Sequence, residues 1–374
     1  MNAPLNNRQE KRLKVLIAEA GDHYKILEQI YHLLHDKCEL TFYIIDPRRY
    51  DYRELFPSVV KTRVLTCNLR GFPFFAWLLF YGARYDVINV STGPDGSHYS
   101  EIVRIVFFYL CCLLYGRKIV LTLRNTHPYL ESTRGLFAFI RSRGIRHVRR
   151  FTFETHTMRR VFAQSTARKD VLLGVSYDKY ADATVPGDDR AGQPPRDGKV
   201  KIGLVGTVNE ERRDYALICE ALSLLSAEQR TRLMFVTLGQ CNEGLDHPAM
   251  QRLSKLVEVD CRQGLLSELE FVVRGRACDL LMAPLTSRKA YGTLHGSGAF
   301  GDAVYLQKWL ILPRHADREG EFAPLCIYYS DARELAEVLC SLSYKLDEPI
   351  APDFLDQFRK ESVYAALVED LRLC

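Results

Sequence analysis

Residues 200–226 read VKIGLVGTVNEERRDYALICEALSLLS, and they hold most of one repeating structural unit. VKIGLVGTV (200–208) is a short apolar run with the composition of a buried strand, with Gly206 near its end. A polar loop follows, then RDYALICEALSLLS reads as a helix and RLMFVTLGQ (232–240) as a second strand. Strand, crossover helix and strand make a βαβ unit, whose strands run parallel and are covered on both faces.

The same alternation extends outward in both directions. Downstream, a helix-rich stretch precedes CDLLMAPL (278–285), and YGTLHGSGAFGDAVYLQKWLIL (291–312) places a glycine-rich turn, a helix and a further strand in succession. Upstream, KVLIAEA (14–20), ELTFYIID (39–46), TRVLTCN (62–68), YDVINVST (85–92), KIVLTLRNT (118–126) and RRFTFET (149–155) read as strands separated by helical segments. Between the two arrays, YADATVPGDDRAGQPPRDGK (180–199) has Pro, Gly and Asp without apolar periodicity, which marks a linker. The expectation is an α/β chain of two Rossmann-like domains facing across a cleft. Residues 1–180 form the first, 181–199 the linker and 200–355 the second, with a C-terminal helix (356–374) packing back on the first.

Composition narrows the function classes. The 374 residues are 47 % hydrophobic and 26 % charged, enough for two ordinary cores. The net charge of +5 is too small for a bulk nucleic-acid binder, and no nucleic-acid module is recognisable, so no nucleic-acid partner is expected. The 11 cysteines include no CxxC pair, which argues against zinc. The start, MNAPLNNRQEKRLKV, has no apolar core and does not read as a signal peptide, so a cytoplasmic location is expected. The longest apolar run, IVRIVFFYLCCLLYG (102–116), is too short to span a bilayer and carries Arg104.

In open parallel sheets ligands sit beyond the carboxyl ends of the strands. Two such places carry anion-binding chemistry. In GTVNEERRDY (206–215), Gly206 and Thr207 end a strand, and Arg212 and Arg213 follow at an expected helix start, where guanidinium forks suit a phosphate. Gly239 ends the next strand. In HGSGAFGDA (295–303), His295, Gly296, Ser297, Gly298, Ala299 and Phe300 lead into a helix whose free amides suit an anion, and Asp302 suits a ribose diol. Taken singly, Ser297 is a helix cap and the arginines are a solvated face. On the first domain, Asp95, His98 and His127 stand near strand ends and suit an acceptor hydroxyl, as base or as orienting groups.

The chain resembles the GT-B glycosyltransferases, close to the retaining "glycosyl transferases group 1" (family 4-like) set. LVGTVNEERRDYALICEAL is similar to that set's glycine-containing strand end with its diphosphate-binding cation. GDAVYLQKWLIL is similar to its second-glutamate helix, with Asp302 at the glutamate and Lys308 in the step before the last strand. RKIVLTLRNTHP and LLGVSYDKYAD resemble two of its N-domain segments. The first glutamate's place is held by Leu294, beside His295, and Thr207 stands where arginine is frequent.

The resemblance implies transfer of a hexosyl group from a nucleotide-diphosphate sugar to a saccharide or lipid-linked saccharide acceptor, in surface polysaccharide or glycan synthesis. It implies a donor that is a substrate, with no separate cofactor. No acidic pair stands at a strand end, Asp188 and Asp189 being in the linker, so no metal is expected. An epimerase of the same fold, or a donor-binding subunit without catalysis, is the alternative. Finally, RSRGIRHVRRFTFETHTMRR (141–160) holds seven arginines and one acid and lies near the aromatic run FPFFAWLLFYG (72–82). That pairing suits peripheral contact with an anionic membrane on the cytoplasmic face.

Overall fold

The computed structural model describes residues 12–19, 24–44, 63–66, 72–91, 102–126, 129, 136–166, 171–175, 198–346 and 348–372. The chain divides into two compact units. The first comprises Met1–Phe153, Ala163–Ser176 and Ala366–Cys374; the second comprises Glu154–Phe162 and Tyr177–Ala365. A short piece near residue 158 belongs to the second unit and the last nine residues to the first. Linker residues 181–197 lie outside the described residues.

The first unit holds β1 (Lys14–Glu19), α1 (Tyr24–Leu34), β2 (Glu39–Ile44), β3 (Arg63–Thr66), α2 (Phe72–Tyr81), β4 (Val87–Val90), α3 (Ile102–Tyr115), β5 (Ile119–Leu123), α4 (Leu136–Ile145), β6 (Arg150–Phe153) and β7 (Leu172–Val175). Its seven strands run in the order β3-β2-β1-β4-β5-β6-β7, every pair parallel. Val15 stands opposite both Leu40 and Val87, and all of β4, β5 and β6 is buried. Burial on both faces explains why these strands read as continuous apolar runs rather than alternating ones. Thr122 and Thr152, two polar residues in these strands, pair through their hydroxyls at 2.7 Å across β5 and β6.

The run 102–115 is a helix that feeds a strand and is buried on one face only. Ile105, Phe108, Cys111 and Cys112 face the core, and burial pushes the Cys111 thiol up to about 12. Among the described residues no helix is long and apolar enough to cross a membrane.

A helix, α5 (His156–Thr166), begins in the second unit. The remainder of that unit holds β8 (Val200–Leu204), α6 (Tyr215–Ser223), α7 (Ala227–Thr231), β9 (Leu233–Thr237), α8 (Pro248–Ser254), β10 (Glu258–Asp260), α9 (Glu268–Ala277), β11 (Leu280–Met282), α10 (Gly298–Leu306), β12 (Leu310–Pro313), β13 (Cys326–Tyr329), α11 (Ala332–Leu346), α12 (Pro352–Asp356) and α13 (Lys360–Arg372). Its six parallel strands run β10-β9-β8-β11-β12-β13.

The sequence reading misses β10 and β13, the two edge strands. One is only three residues long with two acids, and the other is CIYY with its middle half-exposed, so neither shows a buried-strand pattern. Both sheets share the doubly wound order 3-2-1-4-5-6, in which the crossover direction reverses between the first and fourth strands. In the second unit that switch point lies between β8 and β11.

One glycine tests the packing of the first unit. A Cβ at Gly116, between α3 and β5, would collide with the carbonyl oxygens of His147 and Cys112, both backbone atoms. Gly116→Ala is expected to cost about 1–3 kcal/mol, read as a lower midpoint in urea denaturation.

Candidate functional site

The loops that leave β8 and β11 are stitched together at the switch point of the second sheet. Val205 N donates to Met282 O at 3.1 Å, Asp214 N to Pro284 O at 2.7 Å and Thr286 N to Arg212 O at 3.2 Å. Arg213 pairs antiparallel with Leu285 as an isolated bridge. Only then does α6 begin, with the Asp214 carboxylate as its cap accepting from Leu217 N at 3.0 Å. This corrects the expected helix start: Arg212 and Arg213 precede the cap and lie in the loop.

The two arginines differ. Arg212 is exposed, and its Nε donates to the Tyr291 hydroxyl at 3.3 Å. Arg213 is 6 % exposed and is therefore not part of a solvated face. Its guanidinium lies against Gly206, whose φ of +83° is left-handed and where a Cβ would collide with Nη2. Glycine is thus needed at 206 for two reasons. Burial lowers the Arg213 pKa, and the neighbouring Tyr291 and Tyr215 oppose that shift. A guanidinium is not deprotonated inside proteins, so the group stays cationic. Among the described residues no carboxylate pairs with it, and its buried Nε has no hydrogen-bond partner.

Gly239, after β9, is equally constrained, because a Cβ there would collide with the carbonyl of Gly206. Val208 N donates to Gln240 O at 2.9 Å, so the ends of β9, β8 and β11 converge. Thr207 is exposed between them.

The 291–302 stretch forms the other side. Gly292, with φ +74°, lies against Ala316 O, and Gly292 N donates to His295 O at 2.8 Å. His295 N in turn donates to Ala290 O at 3.0 Å, and its ring lies 5.9 Å from that of Tyr291. Ser297 caps α10, accepting from Ala299 N at 3.4 Å. Gly298 is exposed with open space where a side chain would be, so the helix start is accessible to a ligand. Asp302 is half-buried one turn on.

Ala299 and Phe300 turn inward: Phe300 is 4 % exposed and stacks on Phe322 at 4.0 Å. Their side chains belong to the core, which corrects the expectation that the whole run lines a ligand. Asp95, His98 and His127 lie outside the described residues.

Two residues that sequence reasoning misses stand out. Tyr291 is buried and touches both arginines, and only its place before the glycine turn hinted at this. Glu154 brings its carboxylate against Gly296, where a Cβ would collide with it. Leu294 stands in sequence where the resembled family has an acid, yet an acid does reach this loop from residue 154. No local signal could have shown it.

The loop after β12 supports this face. Asp317 is 6 % exposed and accepts from Glu321 N, Phe322 N and the Tyr328 hydroxyl at 3.0, 2.8 and 2.5 Å. Glu321 accepts from His156 N and Thr157 N, at 2.8 and 2.9 Å, at the start of α5. His315, in the same loop, has its pKa lowered by burial more than the Thr286 and Leu285 backbone raises it. Among the described residues no group of three or more His, Cys, Asp or Glu side chains could hold a metal ion.

No family model matches this chain, and no curated protein matches it by sequence. Solved structures match it along almost its whole length. Anabaena Alr3699/HepE in complex with UDP superposes with a TM-score of 0.65 at 14 % identity, covering 97 % of this chain and all of that one. The UDP-GlcNAc 2-epimerase of Neisseria meningitidis bound to UDP-GlcNAc gives 0.58 at 12 %, covering 97 % and 100 %. Arabidopsis thaliana UGT89C1 complexed with UDP gives 0.56 at 11 %, covering 97 % and 99 %. The fold is GT-B.

The site yields two expectations. Gly206→Ala combines a left-handed φ with a clash against a buried guanidinium, so it is expected to cost about 2–4 kcal/mol, read by thermal or urea unfolding. His315 supplies a pH dependence. Its folded-state pKa lies below the ordinary value, so the unfolded chain binds the extra proton and stability falls as pH drops through about 6.5 and below. His315→Gln is expected to flatten that slope between pH 7 and 5, measured by melting temperature across the range.

Proposed function

We propose that the second unit binds the diphosphate of a nucleotide sugar and that the chain transfers the sugar to an acceptor. One observation carries the reading: the buried, carboxylate-free Arg213 guanidinium at the switch point, beneath a glycine turn and beside the open start of α10. A buried cation without a counter-charge is costly unless an anion completes it. Arg212 and the amides at 296–299 converge on the same loops, and Asp302 suits the ribose. UDP in the Anabaena and Arabidopsis structures and UDP-GlcNAc in the Neisseria structure support a uridine nucleotide as the first to try.

In the transfer, the bond from the sugar's anomeric carbon to the donor oxygen breaks, and the bonding pair leaves on the diphosphate. The acceptor hydroxyl oxygen forms the new bond. Its proton passes to the leaving diphosphate in a retaining reaction, which the family 4-like resemblance favours, or to Asp95, His98 or His127 in an inverting one. Arg213 and Arg212 stabilise the charge that gathers on the leaving group, and preorganised donors do so without requiring a metal. The acceptor in this reading is a saccharide or lipid-linked saccharide, and the role is glycan synthesis. The comparable likeness to the Neisseria epimerase favours a second reading, in which the same donor is held and its sugar inverted without an acceptor.

A thermal-shift screen over UDP, GDP and their sugars checks the donor site. Stabilisation by one diphosphate series is expected, and stabilisation by none would remove the proposal. Arg213→Gln is expected to weaken that nucleotide by about 10- to 150-fold, the loss of one charge-assisted contact, and Asp302→Ala by less. Nucleotide release only on addition of glycan extract identifies a transferase, whereas sugar interconversion without release identifies an epimerase.

A further inference from the structure

The first unit carries a surface that neither sheet's ligand chemistry uses. Helices α2, α3 and α4 pack side by side with their C-terminal ends along one edge. The Tyr115 hydroxyl donates to Leu79 O at 2.8 Å, the Cys111 thiol to Phe75 O at 3.3 Å, and Gly144 lies against Tyr109. Outward from this layer stand Phe80 (79 % exposed), Leu114 (64 %), Phe139 (55 %), Leu113 (46 %) and Leu110 (38 %).

Scattered exposed leucines are ordinary, but these are not scattered. Leu110, Leu113 and Leu114 occupy one face of α3 at i, i+3 and i+4, flanked by the ends of the neighbouring helices. All three elements were already rich enough in apolar residues to fill their inner faces, so this outer set is surplus to the core.

Charge supplies the second half of the pattern. Segments 72–84, 102–118 and 136–149 hold eight Lys and Arg and no Asp or Glu. Arg84, Arg117, Arg143, Arg146 and Arg149 are exposed. Arg84 lies 4.7 Å over the Tyr81 ring and Arg143 lies 5.1 Å over the Phe139 ring, so cations and exposed aromatics are physically joined. The seven-arginine stretch of the sequence contributes only partly. Arg150 is buried in β6, Arg160 pairs with Glu319 and Arg159 is half-buried on α5, whereas Arg143, Arg146 and Arg149 are exposed on this edge.

We propose that the exposed α2–α3–α4 face docks on an anionic lipid bilayer, its leucines and Phe80 entering the headgroup boundary and its arginines meeting lipid phosphates. Charge complementarity selects this occupant. A second copy of the chain would set one arginine rim against another, with no acid in the three segments to pair. A nucleic acid would satisfy the arginines and press the leucines against phosphate. Only an anionic bilayer offers a negative layer over an apolar one, in the order the face requires. This inference does not rest on the donor-site reading and stands or falls separately.

The test is co-sedimentation of the full chain with vesicles of phosphatidylcholine alone or with added phosphatidylglycerol. Binding to the anionic vesicles, weakened by salt, is expected, with little to the neutral ones. Arg143→Ala with Arg146→Ala should weaken it about 30-fold. Leu113→Ser with Leu114→Ser, and separately Phe80→Ser on another helix, should each weaken it about tenfold or more. Unchanged far-ultraviolet spectra and melting temperatures confirm folded variants.

Equal binding to neutral vesicles, no binding to anionic ones, or undiminished binding by both apolar variants would overturn the proposal. So would a concentration-dependent dimer, seen without lipid and abolished by the same substitutions.

Discussion

The second unit is organised around a guanidinium that cannot leave. Arg213 is fixed by its own backbone, which pairs with Leu285, so its side chain can only lie inward beneath Gly206. That single placement dictates its neighbours. Residue 206 must be glycine because a left-handed backbone and a guanidinium meet there, and residue 239 must be glycine because the carbonyl of Gly206 then fills the next position. Tyr291 ties the loop after β11 to both arginines, and the turn at Gly292 then delivers the start of α10 beside them. A positive charge held this tightly in low dielectric favours an anion far more than an exposed one does.

The two units share one strand order but are not equivalent chemically. In the second, glycines and arginines crowd the switch point, with the Arg213 guanidinium buried against Gly206. In the first, the same topology is filled from Val, Ile, Leu and Phe, and its outstanding surface is the helical layer on one face of the sheet. α3 shows how one element serves both core and surface. Ile105, Phe108, Cys111 and Cys112 bury its inner face, while Leu110, Leu113 and Leu114 leave its outer face apolar. A helix apolar all round is ordinarily covered all round.

The supporting loop after β12 illustrates how a buried carboxylate shapes a site without touching a ligand. Asp317 gathers two amides and a phenol, which sets the course of residues 317–322 and aims Glu321 at the start of α5. Acids near a helix start are favoured by its dipole and its free amides. Nothing in DREGEF, read linearly, separates the organising acid from its exposed neighbours.

The sequence by itself determined the α/β class, the long central strands and the two glycine-rich strand ends, because each is a local property: apolar runs, helical periodicity and glycine at a turn. Strands β10 and β13 escaped it because edge strands bury too little to show a pattern. Tertiary structure alone decided which arginine is buried, that Phe300 is core, that Tyr291 reaches the arginine loop and that Glu154 reaches Gly296. Those outcomes depend on collisions between residues far apart in the chain, such as Gly296 against Glu154 and Gly239 against Gly206. Sequence spacing carries no information about such approaches, since the parallel sheet alone sets which strand ends meet.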